Sequence, residues 1–153
     1  MNDLVLKEIA QEIKGLHNGA IAHIKNGEYV EAAIQYRKAL MITEKISYYE
    51  GMAITLFSMA NLALIIGDLI EALNNAADSR KMFAKANLAY EHCNDLLKQL
   101  AVMAKKKGIN YEREGKFQEA INHFEAALPF ADEKSRQAMT HEIELLRRII
   151  NAR

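Results

Sequence analysis

An all-helical repeat fold is the class the sequence predicts, and three observations predict it. Gly27, Gly67 and Gly115 are each followed by an aromatic or aliphatic residue two places on and by alanine five places on. The matched positions are Gly27/Tyr29/Ala32/Tyr36/Ala39/Leu40, Gly67/Leu69/Ala72/Ala76 and Gly115/Phe117/Ala120/Phe124/Ala127/Leu128. Between them, apolar residues recur at spacings of three and four, the signature of amphipathic helices. One proline and 7 glycines leave little room for long loops. Self-similarity at a fixed spacing marks a repeat architecture.

Each unit has a simple physical reading. Glycine takes the tight turn that ends one helix. The residue two places on packs under that turn, and the alanine lets the next helix lie close. The later aromatic and alanine fall four and seven places beyond it, on the same helical face. On these residues, over about positions 14 to 128, the chain resembles the tetratricopeptide repeat family. The second unit is the weakest match, with Ala76 and Ser79 where an aromatic and an alanine are usual. The resemblance implies a right-handed α-solenoid of three helix hairpins plus a C-terminal capping helix, about seven helices in all. The glycines stand 40 and 48 residues apart, against about 34 for the common unit. The 40-residue spacing is similar to the long-helix branch of the family, as in kinesin light chains and polarity adaptors. The eight further residues of the second interval fit one added turn on each of two antiparallel helices, at about 3.6 residues per turn.

Taken in order, the first helix spans 3–25, capped by Asn2 or Asp3, with Ile9, Ile13, Leu16, Ala20 and Ile24 as its apolar stripe. Gly15 and Gly19 lie inside it, for close packing or by simple tolerance. The second runs from about 29 to 46. Ser47-Tyr-Tyr-Glu50 has the form of a capping box, opening a third helix over about 48–66. Residues 51–67 of that helix carry no charge, so it is buried all round or partly covered by a partner. The fourth runs from Leu69 to about 91. His92-Cys93-Asn94-Asp95 reads as a turn, with Asn94 or Asp95 capping a fifth helix to 114. The sixth spans 116–128 and ends near Pro129, and Asp132 caps a seventh over 133–151. Met139, Ile143, Leu146 and Ile150 form the buried stripe of this last helix, and its other faces are charged, as suits an end cap. One domain over 1–153 follows, with repeat units at about 4–46, 48–91 and 95–131 and a cap at about 133–151.

Composition narrows the function classes. Hydrophobic residues make up 50% and charged residues 26% of the chain, a globular balance. Twenty basic residues against twenty acidic ones argue against nucleic acid as the main partner. The single cysteine points to a reducing, cytoplasmic setting. No uninterrupted apolar run reads as a signal peptide or a membrane span. There is no nucleophile elbow, phosphate loop, HExxH or CxxC, so neither enzymatic activity, a metal nor a cofactor is expected. His92-Cys93 is an adjacent pair rather than a metal spacing, and His23 stands where the family packs a tyrosine.

The resemblance places the candidate binding surface on the first helix of each pair. It supplies Lys14, His17, Ile21 and Ile24 from the first, Ile54, Phe57, Asn61, Leu64 and Ile65 from the second, and Lys105, Lys106, Ile109 and Arg113 from the third. The groove so formed has an apolar centre and basic ends, suited to a peptide or amphipathic helix of a protein partner. Asn61 is either a contact to a peptide backbone or a structural amide. A carboxylate clamp would need lysine and asparagine where His17 and Ile21 stand, so that subclass is incomplete here. Two alternatives remain: a self-associating structural module, a possible homodimer paired through helix 48–66 or the last helix, and a small chaperone for exported proteins.

Overall fold

The computed structural model describes residues 2–153 and is all-α. Seven α-helices follow in order among these residues: α1 (Asp3–Lys25), α2 (Tyr29–Lys45), α3 (Tyr49–Ile66), α4 (Leu69–Lys85), α5 (Glu91–Arg113), α6 (Phe117–Ala127) and α7 (Glu133–Asn151). A short 3-10 turn, Leu128–Phe130, joins the last two and contains Pro129. Each helix packs on its successor, and α4 also meets α6. Side-chain caps form where acceptors were expected: Asn2 accepts from Val5 N at 2.9 Å, and Asp132 from Ser135 N at 2.7 Å.

Five connections share one geometry. Gly27, Ser47, Gly67, Asn87 and Gly115 all have positive φ. In each turn the N–H of the following residue donates five places back, as from Glu28 to His23 at 2.8 Å, Tyr48 to Thr43 at 2.9 Å and Lys116 to Tyr111 at 2.8 Å. The left-handed residue itself donates three places back, which completes a Schellman motif. The first four turns recur every 20 residues, and α2 and α4 both have 17 residues. The three glycines therefore sit at equivalent corners, and Ser47 and Asn87 turn the intervening corners in the same way.

This pattern corrects four local expectations. Ser47 is a left-handed residue that ends α2, so the Ser47–Glu50 capping box does not form; α3 starts after Tyr48 with no side-chain cap. The turn expected at His92–Asp95 lies earlier, at Ala86–Tyr90, and those four residues open α5 instead. The eight surplus residues are not shared between antiparallel partners. They lie in the 23-residue α5 and the linker before it, while α4 keeps 17. Finally, α3 is long and apolar enough to cross a membrane by length and composition alone. Within the fold it buries Ala53, Thr55, Leu56, Ala60, Leu62 and Ala63, which suits a core helix equally.

The close approaches occur at other glycines than the two in α1. A Cβ on Gly15 would meet nothing within 4 Å, and one on Gly19 only the end of Gln35 at 3.8 Å. A Cβ on Gly108 would stand 2.6 Å from the Phe124 ring, which lies flush on α5. The main core runs from α3 to α7 and includes Leu73, Leu97, Leu100, Ile121, Phe124, Met139 and Leu146. A separate small cluster, Ala20, Ala32, Tyr36 and Leu62, holds the first hairpin to α3.

Candidate functional site

The odd-numbered helices carry the candidate surface, and it is two hollows rather than one trough. The first lies between α1 and α3, about 240 Å³, and is lined by Lys14, His17 and Ile54 together with Ala10, Ile13, Tyr48 and Gly51. His17 forms its inner wall. Its Nε2 lies 2.8 Å from the Oγ1 of Thr55, a fully buried hydroxyl, and its ring meets Tyr36 edge-on at 5.3 Å. Burial lowers the His17 pKa, because the imidazolium would lose its hydration there.

The middle of α3 is more closed than its composition suggests. Phe57 is half-buried; its ring packs edge-on against His92 at 4.9 Å, and Phe83 meets the same imidazole at 4.7 Å. Leu64 is likewise half-buried against the main core. The Asn61 amide donates to the Phe57 carbonyl of its own helix at 3.2 Å. Ile65 and Ile54 remain exposed, at 52% and 44%, as does Ile21 at 44%, while Ile24 packs on the first-hairpin cluster. The polar residues behind Phe57 are structural. Ser79 donates to the Ala53 carbonyl at 2.7 Å and touches the buried Cys93 sulfur, whose pKa burial pushes up.

The second and larger hollow, about 480 Å³, lies between α5 and α7. Lys105, Lys106 and Ile109 line it as expected, and Arg113 lies beyond it, exposed. Sequence reasoning missed the far wall, Phe130, Ala131, Asp132, Ser135 and Met139, and also Lys98. The one available signal was Pro129, which forces the 3-10 turn and so sets α7 away from α5. Lys105 spans the gap, donating to Ser135 Oγ at 3.2 Å. Asp132 is held below its usual carboxylate range, first by the Ser135 N–H and further by Lys105 and Lys134 nearby.

A second pocket of about 180 Å³ shares Lys105, Ile109 and Met139 with this cleft and is lined also by Glu112 and Glu142. Glu112 Oε1 is sealed from solvent with no hydrogen-bond partner among the described residues. Its pKa is raised, chiefly by desolvation and then by the facing Glu142 carboxyl. Lysines thus line the cleft, and Lys105 is shared with the pocket that holds the two carboxyls. No group of three or more metal-ligating side chains occurs among the described residues. No protein-family model matches this chain, and no curated protein matches it.

Proposed function

We propose that the chain is a protein-interaction module of tetratricopeptide-like build, a right-handed solenoid of helix pairs whose odd-numbered helices bind a helical or extended segment of a partner protein in the cytoplasm. One observation carries this reading. The odd-numbered helices leave gaps with apolar floors, and exposed Ile54 and Val102 line them. Apolar surface of this kind, rimmed by polar side chains, is characteristic of interaction sites. The five repeated turns support the repeat architecture, and the absence of a catalytic constellation in the sequence argues for a binding role. The test is crosslinking in native cytoplasm from photoreactive residues placed at positions 14 and 98, exposed on the two hollows. A partner captured at both and lost with Ile54→Glu plus Val102→Glu supports the reading; capture unchanged by both substitutions overturns it.

A second reading, self-association, is favoured by a different surface. Val30, Ile34 and Met41 form an outward stripe on α2, exposed at 70%, 42% and 58%. Light scattering across a hundredfold range of concentration, with Val30→Glu as control, separates the two. A strict monomer removes self-association.

A further inference from the structure

We propose that the cleft between α5 and α7 takes an acidic amphipathic helix of a partner protein. This rests on the interaction-module reading and adds the place, the charge and the conformation of the occupant. Its floor is apolar, from Ala101, Ile109 and Met139, and Lys98, Lys105 and Lys106 line it. None of the three lysines is within ion-pair distance of a carboxylate among the described residues; the pairs formed there are His23–Glu28, Lys116–Glu114, Arg136–Glu133 and Arg147–Glu125. The one acidic residue on this rim, Asp132, is engaged as the cap of α7. Lys105 lies near Asp132 and donates to Ser135, so Lys98 and Lys106 are the free cations of the three, and beside an apolar floor they complement a segment with acidic edges and an apolar face.

Conformation follows from the walls. They are helix surfaces whose backbone hydrogen bonds are already made, so an extended strand laid here would find few partners for its own N–H and C=O groups. A helix brings those bonds with it. Lys98 to Ile109 covers 12 residues of α5, roughly 16 Å at about 1.5 Å per step, so about three helical turns fit. The acidic edge of the occupant lies along Lys98 and Lys106 of α5.

The test uses the whole chain and a synthetic fluorescein-labelled 15-residue peptide. It carries leucine at helical spacing with flanking glutamates, and a second version replaces the glutamates with lysines. Fluorescence anisotropy is read for the wild type, for Lys98→Glu/Lys106→Glu, for Val102→Glu and for Ile54→Glu. All four positions are exposed, so the fold is preserved. The expected result is binding of the glutamate peptide with a gain of helical circular dichroism, weakened roughly tenfold by the double reversal and by added salt. The double reversal also turns the preference toward the lysine peptide, and Ile54→Glu leaves binding unchanged. Equal binding of both peptides to the wild type, a bound peptide without helix, or indifference to the double reversal each overturns the proposal. Loss with Ile54→Glu alone also overturns it, while leaving the interaction-module reading intact.

Discussion

In the first hairpin, Tyr36 closes on Ala20, Ala32 and Leu62, and the cluster ends there. In the third hairpin, Phe124 occupies the matching slot but meets Leu97, Leu100, Ile121 and Met139 in a core that continues into α7. The two units share the same glycine, alanine and aromatic positions, yet one is a thin contact and the other a deep one. What differs is what surrounds the signature: leucines and isoleucines on α5 to α7, small and half-exposed residues on α1 and α2. A repeat signature thus specifies how two helices approach, and the burial around it specifies how firmly they hold. The hollows follow the same division. The α1–α3 hollow is lined by a half-buried histidine bonded to a threonine, and the α5–α7 cleft by lysines and carboxyls.

Truncating the two equivalent aromatics tests this difference most directly. Phe124→Ala is expected to cost about 3–5 kcal/mol, the usual range for a fully buried phenylalanine, and to lower the whole unfolding transition. Tyr36→Ala is expected to cost about 2 kcal/mol. It should act locally, so that amide exchange in α1 and α2 becomes fast while α5 to α7 keep their protection. Denaturant melts with site-resolved hydrogen exchange check both. A global loss of equal size from the two variants would show that the first hairpin is as deeply held as the third.

Glycine substitutions sharpen the same comparison with smaller effects. Gly108→Ala places a methyl 2.6 Å from the Phe124 ring. With that ring fixed by the core around it, the expected cost is about 1–3 kcal/mol. Gly15→Ala meets open space, so helix propensity alone acts and the variant gains about 0.5–1 kcal/mol. Thermal melts of the two should therefore move in opposite directions.

Much of this was legible in the sequence, and what was not has physical reasons. The helix count, the left-handed glycines and the Asp132 cap each follow from a residue whose chemistry leaves few options. Ser47 has several options. Its hydroxyl suits a capping box with Glu50, but the 20-residue metre of the chain places it in the left-handed corner, where it ends α2. His92 and Cys93 look like turn residues because they are polar neighbours, yet one packs on two phenylalanine rings and the other is fully buried. The α5–α7 cleft was half legible. Lys105, Lys106 and Ile109 follow from helical phase, whereas the opposite wall depends on how far the 3-10 turn swings α7, which no periodicity records.

Acidification should act on the two ends in opposite senses. His17 has a lowered pKa, so it binds protons less readily in the folded state. Its contribution is present at neutral pH and is lost as pH falls below the ordinary histidine value of about 6.5. Glu112 has a raised pKa, so the folded state holds its proton more readily. Its contribution is full below the ordinary glutamate value of about 4.3 and is lost as pH rises through the raised value. Lowering pH from about 7 to about 5 should thus lower amide protection factors, corrected for the intrinsic exchange rate, at the α1–α3 contact and raise them where α7 docks, each by roughly two- to fivefold. Glu142→Gln should reduce the second response, leaving the part due to desolvation, and leave the first unchanged.

The smallest effect separates the corners made by glycine from those made by other residues. Ser47 holds φ at 53° and Asn87 at 59°. A side chain in this left-handed region costs about 1–2 kcal/mol through its Cβ, less for asparagine. Glycine removes that penalty but adds chain entropy to the unfolded state, about 0.5–1 kcal/mol. Ser47→Gly should therefore stabilise by about 0.5 kcal/mol, and Asn87→Gly by less. The Ser47 hydroxyl caps no helix, so nothing offsets the gain. A shift of the denaturation midpoint upward for Ser47→Gly, with the α2–α3 amides more protected, is the expected outcome. A destabilised variant would mean that the serine hydroxyl is engaged and that this corner is not equivalent to those at 27, 67 and 115.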